Sequence, residues 1–230
     1  MRILITCATK LELDPLLNVH HKLSETNVFF NLITTENKHI DVLFSGVGML
    51  STTFHLTQHL HAHPYDLVLN VGIAGSVQEA LLGKVYQITH EHVYEFGAED
   101  KDDFTPLQAM NFLSKADPLS ESFFEVCTDR TEIQPALEKA CAITVSKIHG
   151  NKSSIALLHS RMKEQNIQGA VLESMEGAAF AYVCRQLKQH AIQVRSVSNI
   201  VEERNRENWK MKEAIRSLND WLFEFLEAEG

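Results

Sequence analysis

Seven short apolar runs, each bounded by turn residues, constrain what this chain can fold into more than any other feature. They occupy residues 3–8, 40–45, 67–71, 84–88, 142–145, 169–172 and 193–197. Each is too short for a buried helix and reads as a buried strand. Between several of them the spacing turns helical. Residues 49–61 carry Leu50, Thr53, Phe54 and Thr57 on one face, and Met175, Ala178, Ala179, Tyr182 and Val183 repeat the pattern. A closing helix lines up Ala214, Leu218, Trp221, Leu222 and Phe225. Strands alternating with helices predict an α/β fold: one domain over residues 1–230, built on a twisted, mostly parallel or mixed central sheet flanked by helices. In such folds ligands gather at the carboxyl ends of the strands, so the search for chemistry starts there.

Whole-chain properties narrow the partners. A formal net charge of -9 disfavours binding nucleic acid through its phosphates, which needs clustered Lys and Arg, and leaves a small-molecule substrate as the better fit. Cys7, Cys127, Cys141 and Cys184 form no C-x-x-C pair, and three of the four lie in apolar runs, as free thiols of a reducing compartment do. The apolar N-terminus is too short for a signal peptide or a membrane span, so a cytoplasmic protein with no membrane partner is expected. His55 and His59 stand four apart, but no acid or thiolate accompanies them at ligand spacing; a solvated helix face and no metal site are expected. No Walker lysine or dinucleotide fingerprint follows any glycine turn, so no cofactor is called for. Residues 95–130, with the acidic run Glu99-Asp100-Lys101-Asp102-Asp103, read as a surface excursion, either a lid or a subunit contact.

Four segments carry candidate chemistry. Glu12 follows the first strand, where it could orient a nucleophile or merely favour a helix start. Ser45-Gly46-Val47-Gly48 and Asn70-Val71-Gly72-Ile73-Ala74-Gly75 end strands in glycines that permit either a close backbone approach to a ligand or a simple turn. Glu173-Ser174-Met175-Glu176-Gly177 sets two acids at the positive end of a helix, for binding a sugar hydroxyl or for capping. Arg195-Ser196-Val197-Ser198-Asn199 closes a strand with fixed hydrogen-bonding groups, although Arg195 could equally be a structural partner of an acid.

In this order the four segments resemble the methylthioadenosine/adenosylhomocysteine nucleosidases and their relatives in the nucleoside phosphorylase superfamily. The most specific part is Met175-Glu176-Gly177-Ala178-Ala179 with Arg195-Ser196-Val197-Ser198-Asn199. The resemblance implies a nucleosidase in which Glu12 activates water, Glu176 holds the ribose hydroxyls, Met175 packs beneath the sugar and Arg195 sits near the water. Val47, Gly72 and Ile73 would line the substrate, Ser198 and Asn199 would form the base-recognition pair, and residues 146–151 would lie near the base-stacking position.

The departure is Asn199, where adenine-releasing members carry Asp. An amide can donate to a 6-oxo group and accept from a protonated N7, a pattern complementary to hypoxanthine. A wrong base would leave a polar group unpaired, at a cost of about 1–3 kcal/mol. With Gly97-Ala98-Glu99-Asp100 through Phe104, and Ser198-Asn199 leading through Arg204 to Trp209, the chain looks like the futalosine hydrolases. That family cleaves hypoxanthine from a nucleoside bearing a carboxylate-ended arm. Arg204, Arg206 and Lys147 are candidate anchors for the arm, and a homodimer or larger homo-oligomer is implied. Rival expectations are an adenine-releasing nucleosidase, a phosphorylase that needs phosphate, and a binding protein without turnover.

Overall fold

The computed structural model describes residues 1–20, 28–34, 38–78, 81–101, 103–126, 133–164, 167 and 169–228. All seven apolar runs are strands. They are β1 (Arg2–Cys7), β3 (His39–Phe44), β4 (Leu67–Ser76), β5 (Val85–Val93), β9 (Glu138–Thr144), β10 (Val171–Ser174) and β11 (Ala191–Ile200). Sequence reading did not anticipate β2 (Phe29–Thr34), the short β8 (Phe124–Glu125), or the hairpin of β6 (Gly97–Asp100) and β7 (Asp103–Pro106). β2 lies at the edge of the sheet and its residues are mostly half-buried, so it lacks the continuous apolar run that marks a central strand.

Nine strands form the main sheet, in the order β10-β9-β5-β11-β4-β1-β3-β2 with β8 beside β5. β4 is its axis. It runs parallel to β1 and to β11, and beyond them its carboxyl end pairs antiparallel with β10 through Gly75–Glu173 and Ser76–Leu172. Because β10 also pairs with β9, the sheet curls back on itself, and the ends of β1, β4, β10 and β11 are gathered into one region.

Helices cover both faces, as the alternation predicts. On one side α1 (Asp14–Val19) and α5 (Met211–Ala228) enclose a core that includes Ile3, Ile5, Val42, Leu69, Leu218, Leu222 and Phe225. On the other, α2 (Met49–Ala62) and α4 (Gly177–Gln186) pack over Leu4, Leu43 and Val68, with α4 contributing Phe180 and Cys184, while α3 (Lys152–Glu164) covers β9 and β10 through Leu158. The closing helix buries its predicted stripe in full.

α2 does not. Its buried residues are Thr52, Leu56, His59 and Leu60, whereas Leu50 and Phe54 point to solvent. The apolar stripe is real, but it faces away from the sheet. His59 is correspondingly not on a solvated face: it is buried, bonded to the Tyr65 hydroxyl at 2.8 Å and packed against Phe29. Burial, reinforced by neighbouring His63, pushes its pKa down to about 4. Among the described cysteines Cys7 and Cys184 are buried and Cys141 is half-buried, all free; Cys127 and Asp102 lie outside the described residues. Among the described residues no helix is long and apolar enough to cross a membrane.

Candidate active site

β4 acts as a ruler for the candidate site, because its residues from Asn70 to Gly75 touch Arg195, Glu12, Ser198 and Asn199. At Gly72 and Ile73 it meets Glu12. The Glu12 carboxylate accepts the Ile73 N–H at 3.2 Å through one oxygen and the Thr9 N–H at 2.9 Å through the other. Thr9 and Glu12 form a capping box on the short 3-10 turn after β1 (Lys10–Leu13), so the helix-start role and the reach into the site are held by one side chain. Gly72 is required by contact: a Cβ there would lie 2.8 Å from Glu12 Oε1 and 3.5 Å from Arg195 Nη1. Burial pushes the Glu12 carboxyl above the ordinary carboxylate range. The Thr9 hydrogen bond and the Arg195 charge act against that rise, and the Glu176 charge adds to it.

Arg195 enters from β11 and is buried. Its Nη2 donates to Asn70 Oδ1 and its Nη1 to the Val194 carbonyl at 3.1 Å, while Nε has no partner among the described residues. Asn70 in turn donates to the Thr6 carbonyl at 3.1 Å, which ties the guanidinium to the end of β1.

Glu176 occupies the N-cap of α4, the favourable end of the helix dipole. One carboxylate oxygen accepts the Gly48 N–H at 2.8 Å, and the other lies 3.3 Å from the N–H of Met175. Gly48 and Gly46 both have positive φ, +87° and +80°, a conformation that side-chain-bearing residues rarely adopt. The Gly46-Val47-Gly48 turn thereby aims a backbone N–H across the sheet at a carboxylate 128 residues away. Val47 itself is exposed, and Met175 packs against the cluster of Ile143, Val145 and Leu158. Glu12 and Glu176 are thus brought within electrostatic range of each other, and the buried Cys7 thiol feels both carboxylates together with Arg195.

Three residues farther along β4, Gly75 meets Asn199, whose Nδ2 would lie 3.2 Å from a Cβ at that glycine. A bulge in β11 steps from the pair Val197–Ala74 to Asn199–Gly75, leaving Ser198 as the extra residue. Such a bulge re-aims the side chains beside it. Ser198 Oγ lies 2.8 Å from Asn199 Oδ1 and 3.2 Å from the Ala74 carbonyl, and Asn199 Nδ2 donates to the Ile200 carbonyl at 3.0 Å. Each end of the Asn199 amide keeps one further hydrogen-bonding capacity. A cavity beside it is lined by Gly75, Ile148, His149, Glu173 and Arg204 among others.

Two features escaped the sequence reading. Glu173 does not serve the helix end; it pairs with His149, taking the ring Nδ1 on one oxygen and the His149 N–H at 3.1 Å on the other. The acid beneath the start of α4 is Glu91 instead. It is fully buried, accepting from Thr144 at 2.8 Å and from Gln193, while Thr144 Oγ1 receives the Ala178 N–H at 2.8 Å. Burial drives its pKa up to about 7. The signal was the polar triplet His90-Glu91-His92, which falls just past the apolar run that marked the strand. The three candidate cations separate: Arg204 lines the Asn199 cavity, Lys147 a neighbouring one, and Arg206 a third near Trp209.

A family model of the phosphorylase superfamily matches residues 2–226. Futalosine hydrolase of Streptomyces coelicolor is 30% identical over 186 residues, covering 78% of this chain and 75% of that one. The Thermus thermophilus futalosine hydrolase is 27% identical over 82% of this chain and 81% of its own length. Among solved structures, the native futalosine hydrolase of Helicobacter pylori superposes with a TM-score of 0.77 at 20% identity, covering 99% of this chain and 98% of that one. The 5'-methylthioadenosine/S-adenosylhomocysteine nucleosidase of the same organism gives 0.78 at 20% identity over the same shares. The chain therefore belongs to the phosphorylase superfamily and, within it, to the futalosine hydrolase family.

Proposed function

We propose that this protein is a cytoplasmic nucleosidase that hydrolyses the N-glycosidic bond of futalosine, releasing hypoxanthine and dehypoxanthine futalosine for menaquinone biosynthesis. The observation that carries the reading is the convergence of Glu12 and Glu176, each carboxylate fixed by a backbone N–H from a distant element, Ile73 of β4 for the one and the Gly46-Val47-Gly48 turn for the other.

N-glycosidic cleavage builds positive charge on the ribose ring. Glu176 holds the 2'- and 3'-hydroxyls and supplies negative potential to that ring, with Met175 beneath the sugar. Glu12 accepts a proton from the attacking water, and its raised pKa suits a base more than an ordinary surface carboxylate would. Arg195 stands beside Glu12 and balances its charge. Val47, Gly72 and Ile73 shape the substrate's backbone walls, Ile73 by donating its N–H to Glu12. Asn199, steadied by Ser198, reads the 6-oxo base with the hydrogen-bonding capacity it has left. The working form is a homodimer or larger homo-oligomer.

The test is to incubate the purified protein separately with futalosine and with methylthioadenosine, with and without phosphate, and to identify the released base chromatographically. Hypoxanthine release from futalosine, independent of phosphate, is the expected result. Adenine release from methylthioadenosine with futalosine untouched would transfer the protein to the other nucleosidase specificity, and dependence on phosphate would make it a phosphorylase.

A further inference from the structure

Asn199 has no acidic proton, so a purine leaving this site must obtain one elsewhere. His149 lines the same cavity as Asn199 and Gly75. Its side chain is 5% exposed and its partner Glu173 is 4% exposed, so the pair is a built feature of the interior. Glu173 grips the residue twice, through the ring Nδ1 and through the backbone N–H, which fixes both the ring's orientation and the nitrogen that stays free. Tyr94 buttresses the ring edge-on, with centroids 5.1 Å apart. Nε2 is bonded to none of the described residues and is not among the sealed, unpartnered buried atoms. A carboxylate behind one imidazole nitrogen, with the other left unbonded on a residue that lines a cavity, is an arrangement suited to proton transfer.

We propose that His149, positioned by Glu173, is the general acid that protonates the departing purine; this rests on the nucleosidase reading above. As the bond from C1' to the base nitrogen breaks, its electron pair moves into the purine. The Nε2 proton passes to a purine ring nitrogen, and neutral hypoxanthine leaves. The water oxygen bonds to C1' and its proton goes to Glu12; exchange through solvent then returns one proton to His149, so atoms and charge balance. The charged or titratable groups around the ring are Glu173 from β10, Tyr94 after β5, and Glu95, Lys147, Glu202 and Arg204 on the walls of the two cavities that His149 borders.

The experiment compares futalosine with an analogue in which 4-nitrophenolate, a leaving group that needs no proton, replaces the base. His149→Gln should lower kcat on futalosine by about 10²–10⁴ with KM little changed, and remain within about fivefold of wild type on the analogue. Retained turnover of the analogue shows that the variant's site is folded, and His149→Asn serves as a second variant. Glu173→Gln, which leaves the ring but loosens it, should lower kcat less than His149→Gln does. A His149→Gln enzyme within about fivefold of wild type on futalosine, or one equally impaired on both substrates, would overturn the assignment. A wild type that releases no base from futalosine would overturn the hydrolase reading, and this proposal with it.

Discussion

Two buried glutamates with raised pKa values lie near the candidate site, and they call for opposite tests. In the proposed mechanism Glu12 acts as a base only when ionised. Because burial lifts its pKa, kcat/KM should rise with pH along a limb that lies above the ordinary carboxylate range. Glu12→Gln should cost about 10²–10³ in kcat, measured at saturating futalosine. A variant that keeps most of its turnover would remove Glu12 from the mechanism. Glu91 makes no contact with the proposed substrate positions, and its consequence is for stability. Its folded pKa of about 7 lies above the reference value of 4.5, so the fold favours the protonated form. The stability this contributes is complete below the reference value and is lost as pH rises through about 7. The difference corresponds to something on the order of 3 kcal/mol. Denaturant unfolding at about pH 5 and about pH 8.5 should show wild type losing stability relative to Glu91→Gln, whose side chain cannot ionise. Parallel losses in the two proteins would mean that Glu91 is not the group responsible.

Elements in this fold are positioned by contacts that a linear reading sees only in part. The start of α4 rests directly on Glu91: a Cβ at Gly177 would lie 1.8 Å from Glu91 Oε1 and 2.6 Å from Gln193 Nε2. Glu91 cannot swing aside, since Thr144 and Gln193 hold both its oxygens. Gly177→Ala should therefore destabilise the protein by about 1–3 kcal/mol in denaturant unfolding, and because Glu176 sits one residue away it should also lower activity. An unchanged midpoint would show that the helix start can shift freely. The buried strands were legible because a strand covered on both faces is written as a continuous apolar run, and the Glu12, Glu176 and Asn199 segments stood out because polar residues follow such runs abruptly. Glu91 and His149 were not legible. Their significance lies in partners 53 and 24 residues away, supplied by strand registry rather than by neighbours in sequence. Helical periodicity likewise revealed the stripe on α2 without its direction, because Thr52 and His59 occupy the buried face while Leu50 and Phe54 occupy the outer one.

That outward stripe bears on the molecule as a whole. Leu50 is 90% exposed, Phe54 61% and Val47 59%, and Leu50 and Phe54 stand one helical turn apart, so they share a face. A cluster of large apolar side chains in the open is a feature of association surfaces more than of monomers. This cluster is continuous with the Gly46-Val47-Gly48 turn that holds Glu176, which gives a subunit seated there a direct route to the Glu176 side of the candidate site. A second copy of the same chain, related by twofold symmetry, satisfies the requirement most simply, because one patch then covers another. Sedimentation equilibrium should accordingly find wild type as a dimer or larger assembly, and Leu50→Asp with Phe54→Asp should give monomers. Since both positions are exposed within the subunit, the doubly substituted monomer should keep its secondary structure. Its turnover should fall through loss of support for the Val47 turn, and raising the protein concentration should restore part of it. Wild type that sediments as a monomer at micromolar concentration would refute the association. A monomeric variant with full activity would show that each subunit carries a complete site.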